Sequence, residues 1–558
     1  MSAPPIASAL DASTQTFPVL TQTQINRLLP HGKIRKVKVG DILFNLGDTN
    51  VPFFVVLSGS LEIVQPDLKG ERLIVTHDAH GHFTGELTMI SGRRTLVQGR
   101  VKAPGEFLEI SAGELRSVIA KDAELSEILM RAFILRRLAL INAGYGNLIL
   151  MGSRHSAQTL KLREFLTRNG QPYTYVDLDT DRMSQELLDR FHITVDEIPV
   201  VICASRSVMR NPSVQELAVC LGFNATVDAA LVHDVVIVGA GPSGLAAAVY
   251  AASEGLDVML IETAAPGGQA GSSSKIENYL GFPTGISGQE LANRATTQAL
   301  KFGAKMMIAH SVSSLNCDRR PYHVVLDDGT ALATKSIVIS SGAQYNKPKI
   351  VNLAKFEGNG IYYGATFMES QLCGGEDVIV VGGGNSAGQA AVFMSQSARK
   401  VYMLVRGGEL SSTMSRYLIQ RIEENPAIEI HYRTEIVGLD GDMHLESVTW
   451  KDNATGKTSS HAIRHIFVMT GASPRTEWLE GCLALDEKGF ILTGRDFNEG
   501  AVQHSAWPLA RPPYLLETSM PGVFAVGDVR SGNVKRVASA VGEGAISIHM
   551  VHRVLAEA

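Results

Sequence analysis

Two short glycine patterns constrain this chain more than any other feature: Gly239-x-Gly241-x-x-Gly244 and Gly382-x-Gly384-x-x-Ala387. Each closes an apolar run that reads as a buried strand, 234–239 and 377–382, and each opens an alanine-rich stretch of helical character. A strand, a glycine turn and a helix N-terminus together make a cradle for a pyrophosphate. Glycine closes the turn and lets backbone approach phosphate, while the helix's unpaired N–H groups meet the charge. Two such units imply two nucleotide cofactors that exchange electrons.

The expected fold class is therefore α/β, with two Rossmann-like nucleotide-binding domains. In such a unit the end of the second strand, about 20 positions on, selects the adenosine ribose. After the first pattern that strand is 257–262 and ends in Glu262, a carboxylate that accepts from ribose hydroxyls and repels a 2′-phosphate. After the second it is 401–406 and ends in Arg406, whose planar guanidinium suits a 2′-phosphate. Gly407 and Gly408 add no second base beside it. The first site suits FAD or NAD, and the second suits NADPH.

Further motifs follow: Pro266-Gly-Gly-Gln269 with 276–283, Ser340-Ser-Gly-Ala343, 470–474, 522–528 and 536–540. With these, residues from 232 to the C-terminus closely resemble the low-molecular-weight thioredoxin reductases, which depend on FAD and NADPH. The resemblance implies FAD contacts at Gly239, Gly241, Gly244, Glu262, Gly268, Gln269 and Asn278. It gives Asp528 to a ribityl hydroxyl and Arg536 and Val537 to the flavin ring region. NADPH falls to Gly382, Gly384, Ala387 and Arg406. It also implies a homodimer and a discontinuous FAD domain, 231–347 and 476–558, with an NADPH domain, 348–475, inserted.

One departure from the family is chemical. Its redox Cys-x-x-Cys sits shortly before the second fingerprint, where this chain has Gly364 and Phe367 flanking an Ala-Thr pair. Without two thiols there, no dithiol at that site can take electrons by thiol–disulfide exchange. Cys373 is a conceivable single-thiol substitute, and a buried loop cysteine is the plainer alternative. The five cysteines (Cys203, Cys220, Cys317, Cys373, Cys482) include no Cys-x-x-Cys, a cytosolic pattern without a disulfide framework.

Ahead of the nucleotide units the sequence predicts two smaller domains, 1–141 and 146–225. Short β-like runs punctuated by Gly47-Asp48, Ser58-Gly59 and Lys69-Gly70 suit an antiparallel barrel or jelly roll, followed by helix over 112–141. With 57–63, Gly85-Glu86-Leu87 and Arg93-Arg94-Thr95, this segment resembles the cyclic-nucleotide-binding domain of the catabolite activator protein family. There Glu86 would hold a ribose hydroxyl and Arg93 or Arg94 a cyclic phosphate. The spacing between Glu86 and the arginines is shorter than in that family, so a retained fold without nucleotide stands as the alternative. The second segment resembles the thioredoxin/glutaredoxin fold, with Ile198-Pro199 at its cis-proline position and Ser153-Arg-His-Ser156 where its thiols belong. Ser156 reads as a helix N-cap, and a helix is expected over about 183–191.

A net charge of −5 argues against nucleic acid as the main partner. No apolar segment after Met1 resembles a signal peptide, and no apolar run reaches membrane-spanning length. The expectation is a cytoplasmic protein with no membrane partner. Histidine spacing suggests no metal. Taken together, the features point to an oxidoreductase that moves hydride from NADPH to FAD and on to an acceptor. That acceptor is a quinone, dioxygen, a ferredoxin-like or thioredoxin-like protein, or an external disulfide. The alternatives are a thioredoxin-disulfide reductase using other thiols, and an FAD-bound or cyclic-nucleotide sensor without turnover.

Overall fold

The computed structural model describes every residue except 1–14, 68–69, 86–87, 143–147, 180–193, 204–207, 225–227, 229–230, 274–275, 277, 317–319, 358, 364, 366–369, 371–372, 471, 495, 497–506 and 558. Residues 33–110 form two antiparallel sheets. One runs Lys33–Val37, Gly105–Ile110, Phe53–Val56; the other runs Ile42–Phe44, Gln98–Ala103, Ser60–Asp67, Gly70–His77. Phe53, Phe54, Phe83, Phe107 and Phe133 are fully buried and fill the barrel. The helical stretch divides into Ala112–Lys121 and Ala123–Asn142. The break falls at Asp122, whose side chain accepts from the Leu125 N–H at 3.0 Å and so caps the second helix.

The next unit is a four-stranded sheet in the order Val208–Arg210, Val200–Ile202, Ile149–Gly152, Thr174–Asp177, with only the last pair parallel. Helices Ala157–Arg168 and Val214–Leu221 accompany it. Ser156 caps the first helix as expected, accepting from the Thr159 N–H at 3.3 Å. The Ile198–Pro199 bond is cis, also as expected. The helix expected over 183–191 lies outside the described residues. The structure corrects the expectation of a chain without disulfides, because Cys203 and Cys220 are joined. Cys203 follows the 200–202 strand and Cys220 sits on the helix Val214–Leu221, within one apolar cluster. Tertiary packing brings the two sulfurs together, and no local spacing announces it.

In the C-terminal part, β1 (Val232–Val238) leads through a glycine turn into α1 (Pro242–Ser253) and β2 (Val258–Glu262). The pattern repeats in β3 (Asp377–Val381), α2 (Asn385–Met394), β4 (Lys400–Val405) and β5 (Ile428–Tyr432). The β1 sheet also takes in Ala331–Ile339, which pairs in parallel with Val523–Ala525 from far along the chain. The β3 sheet is wholly parallel, in the order Ile361–Tyr362, His465–Val468, β3, β4, β5. Chain leaves the first sheet through Ala343–Tyr345 and returns through Ala472–Pro474, and these two strands pair antiparallel. Helix α3 (Val537–Glu557) lies on α1, which presents fully buried Ala247, Ala248 and Ala251. Small side chains let the two backbones approach: a β-carbon on Gly544 would stand 2.1 Å from the Ser243 carbonyl oxygen.

The fully buried carboxylate of Glu517 supports the turn before strand Val523–Ala525. It accepts from Arg511 Nη1 at 2.7 Å and Nη2 at 3.1 Å, from Tyr514 N–H at 2.9 Å and from Gly522 N–H at 2.8 Å. Removing one partner of a buried pair strands the other charge, at a cost of about 3–5 kcal/mol. Arg511→Met is therefore expected to lower the urea midpoint of unfolding clearly, and an unchanged midpoint would show that the pair contributes little.

Candidate functional site

The first glycine turn is shaped by backbone clearance. Gly239 has φ +102°, and a β-carbon there would lie 2.4 Å from the Ser340 carbonyl oxygen. One on Gly244 would lie 1.9 Å from the Gly239 carbonyl oxygen. Neither position accepts a side chain. Gly241 is the N-cap of α1, without a side-chain cap bond and with open space where its β-carbon would be. The first N–H groups of α1 are thus left for an anion. Ser340 supports the turn from behind, its hydroxyl within 2.9 Å of the Val238 carbonyl and 2.7 Å of the Gly239 carbonyl.

Glu262 ends β2 and is only 9% exposed. Its carboxylate accepts from the Ala240 N–H at 2.8 Å and the Ala264 N–H at 3.0 Å, so its orientation is set before any ligand arrives. Nine of the ten residues that the resemblance assigns to FAD line one cavity of about 1360 Å³; Gly244 lies behind it in α1. Gly268 takes φ +53°, and Gln269 Nε2 donates to the Ala343 carbonyl. Asp528 is on a turn pinned by Glu543, which accepts from Gly527 N–H at 2.7 Å and Arg530 Nη2 at 2.6 Å. Burial holds the Asp528 carboxyl above its usual range; Lys535 opposes the shift and Glu543 adds to it. Arg536 and Val537 stand at the start of the 21-residue helix α3, whose N-terminus carries partial positive charge into the cavity.

The second turn repeats the logic. Gly382 has φ +142°, and a β-carbon there would stand 2.3 Å from the Met469 carbonyl and 3.0 Å from Ala387 Cβ. Ala387 is fully buried, and Gly384 is the N-cap of α2 without a side-chain cap bond. Asn385, Ser386 and Gln389 of α2 line the same cavity as Glu262 and Asp528. Arg406 is exposed just past β4, away from that cavity. Tyr363, absent from the sequence expectations, also lines it. It donates to Glu357 at 2.6 Å, and Lys347 reaches the same carboxylate at 2.8 Å. Burial, with Glu357 beside it, raises the Tyr363 phenol above its usual range.

Gly364 and Phe367 lie outside the described residues. Cys373 is fully buried in the core beneath β3 and α2 and is absent from the cavity lining, which leaves the buried alternative. His310 Nδ1 lies 3.5 Å from Asp327 and 3.6 Å from Asp328, a polar contact across the 327–328 turn that histidine spacing does not announce.

Glu86 lies outside the described residues. The arginines expected beside it turn toward the following unit. Arg93 Nη1 donates to the Asn169 carbonyl at 2.9 Å, with its guanidinium 4.3 Å from the centre of the Phe223 ring. Arg94 donates to the Gly47 carbonyl at 3.1 Å and packs beside Gly222. Arg136 lies against Gly85, donating to the Phe83 and Gly85 carbonyls at 3.1 and 2.9 Å. Burial lowers its pKa to about 9. Asn169 continues the contact, donating to the Ala264 carbonyl at 3.1 Å, and Arg168 donates to the Gly268 carbonyl at 3.1 Å. Both carbonyls belong to cavity-lining residues.

The profile of the pyridine nucleotide-disulphide oxidoreductase family matches residues 233–544, more than half of the chain. The chain belongs to this family. A cyclic nucleotide-binding domain profile matches residues 34–122, the barrel and the first helix after it. Thioredoxin reductase from Mycoplasmopsis pulmonis is 32% identical over 317 residues, 57% of this chain and 95% of that protein. Thioredoxin reductase from Mycolicibacterium smegmatis is 32% identical over 326 residues, 58% of this chain and 97% of that one. Among solved structures, Lactococcus lactis thioredoxin reductase aligns with a TM-score of 0.52 at 27% identity, covering 58% of this chain and 100% of that chain. The T. acidophilum enzyme aligns at 0.51 and 29%, covering 57% and 98%. The family member described here is thus a thioredoxin reductase-like module carrying two further units ahead of it.

The Arg93 contact combines a charged donor with a cation–π face, worth about 1–2 kcal/mol together. Arg93→Ala is expected to speed hydrogen exchange at 165–170 and 222–223 roughly tenfold while leaving the barrel strands protected. Unchanged exchange there would show that the contact contributes nothing to the junction.

Proposed function

We propose that this family member is an FAD-dependent NADPH oxidoreductase that passes electrons to an acceptor other than an internal Cys-x-x-Cys. Its working parts are the proposed FAD domain, 231–347 with 476–558, and the NADPH domain, 348–475. The observation that carries this reading is that Glu262, Asp528 and residues of α2 line one cavity. The residues present fit FAD: an uncapped helix start at Gly241, a pre-oriented carboxylate at Glu262, and the half-buried carboxyl of Asp528, suited to a hydroxyl partner. When bound, the flavin supplies the ability to take a hydride from a nicotinamide and release electrons to a second substrate.

The chain's own residues bind and orient. With FAD bound, the α1 N-terminus would hold the pyrophosphate, Glu262 the ribose and Asp528 the ribityl chain. The α3 N-terminus favours negative charge at the ring. Relatives named thioredoxin reductase point to a thioredoxin-like acceptor, and the cysteine pattern points away from the usual route to one. Gly364 and Phe367 stand at the dithiol positions, and Cys373 has no access to the cavity. A quinone, dioxygen, a ferredoxin-like protein or an external disulfide, reached directly, fits this arrangement. A second reading, thioredoxin-disulfide reductase through other thiols, is favoured by one observation, the joined Cys203 and Cys220. The barrel then serves as a regulatory module, and the engagement of Arg93 and Arg94 by the Asn169 and Gly47 carbonyls favours the retained fold without nucleotide.

Anaerobic mixing of the purified yellow protein with NADPH is expected to bleach the visible flavin band within seconds. A band that persists would mark an FAD-bound protein without turnover. With a panel of acceptors, Cys373→Ser is expected to leave every rate unchanged. Loss of disulfide turnover in Cys203→Ser or Cys220→Ser, with quinone turnover retained, would favour the second reading. Arg406→Ala is expected to raise KM for NADPH about tenfold and to spare NADH; equal effects on both would remove Arg406 from 2′-phosphate recognition.

A further inference from the structure

The 2′-phosphate end of the second nucleotide site contains a base that the local sequence does not announce. β4 and β5 run in parallel, and their last paired residues are Val405 and Tyr432. The next residue on each strand is an arginine, Arg406 and Arg433, and both are exposed. Adjacent strand positions are about 4.8 Å apart, so the backbones of the two arginines leave their strands as neighbours, at the strand ends where such folds bind nucleotide.

Arg433 is held there by a costly backbone. Its φ is +52°, a left-handed conformation that a long side chain rarely adopts. Two hydrogen bonds fix it: the Arg433 N–H donates to the Gly407 carbonyl at 3.0 Å, and its carbonyl accepts from Asn453 N–H at 2.7 Å. Its guanidinium lies over the glycine loop that follows Arg406. A β-carbon on Gly408 would stand 3.4 Å from Arg433 Nε and 3.6 Å from Nη2. A β-carbon on Gly408 would thus only touch the Arg433 guanidinium, and a branched side chain there would compete with it for the space over the loop. Strain of this kind persists where the surrounding structure enforces it, and it concentrates at ligand clamps.

We propose that Arg433 is the second 2′-phosphate-binding residue, closing with Arg406 on the adenosine 2′-phosphate of NADPH across the Gly407–Gly408 loop. The inference rests on the NADPH reading of this site. Two guanidinium groups from adjacent strands supply more donors to a phosphate dianion than one flexible arginine can. Nucleotide preference then depends on the pair.

The test uses the full chain and calorimetric binding of adenosine 2′,5′-bisphosphate against 5′-ADP, with KM for NADPH and NADH read in parallel. Arg433→Asn is the variant of choice, because Asn tolerates the left-handed backbone. Gly408→Val is the second, keeping both arginines while filling the space over the loop. The expected result is that each weakens the 2′,5′-bisphosphate about tenfold or more, leaves 5′-ADP unchanged and raises KM for NADPH alone. If Arg406→Ala loses the 2′-phosphate preference and both other variants keep it, the proposal is overturned and the NADPH reading stands. If the unmodified protein shows no preference for the 2′-phosphate, the NADPH reading fails and the proposal with it.

Discussion

A β-carbon on Gly244 would sit 1.9 Å from the Gly239 carbonyl oxygen, and that missing carbon sets how closely α1 approaches β1. Several features follow from the contact. The uncapped start of α1 faces the cavity, the Ala240 N–H points at Glu262, and Ser340 holds both carbonyls of the turn from the neighbouring strand. Behind the turn, Ser243 and the alanines of α1 admit Gly544 of α3 at backbone distance. The start of α3 is thereby brought to the same cavity. One steric clearance thus links two segments far apart in the chain into a single site.

One contact of the two N-terminal units with that site runs through the end of a helix, and another through Asn224, which bonds the cavity-lining His310 at 2.9 Å. Arg168 and Asn169 close helix Ala157–Arg168. They donate to the carbonyls of Gly268 and Ala264, while Asn169 accepts from Arg93 of the barrel. Gln289 also donates to the Arg168 carbonyl at 2.8 Å. A shift of the barrel that withdrew Arg93 would act on two loops that bound the cavity, without any residue of the barrel entering it. Coupling of this kind requires a barrel with two arrangements, and the polar chain is flanked by apolar contacts, Leu300 against the barrel core and Ile308 and Ala309 in the core of the second unit.

Much of the α/β part was legible because its constraints are local. Glycine turns, a carboxylate and an arginine at second-strand ends, Ser156 as a cap and Pro199 as a cis residue each depend on a few adjacent positions. What sequence reasoning missed depends on tertiary approach. Cys203 and Cys220 meet through packing of a strand against a helix. Tyr363 is held at the cavity wall by Glu357, which Lys347 also reaches. Arg93, read as a phosphate ligand from its motif, is engaged by Asn169 and Phe223, which belong to another unit. Arg433 carries no motif, and its only local oddity, a positive φ, is invisible until backbone is built.

The exit of electrons is where physical reasoning separates this chain from its relatives. In the proposed route, electrons reaching the cavity meet neither a dithiol at 364 and 367 nor the thiol of Cys373, which is sealed beneath β3 with no exposed surface. A thiol reacts as thiolate, and burial in apolar surroundings disfavours that charged form. Opening the core to expose Cys373 would also break the packing that holds the second glycine turn, since Ala387 and Met469 share its cluster. A route through Cys373 would therefore dismantle the nucleotide site it was meant to serve. On the proposed function the acceptor comes to the cavity instead, whose walls include Tyr363, Asn385, Ser386 and Gln389 of α2, and Asp528.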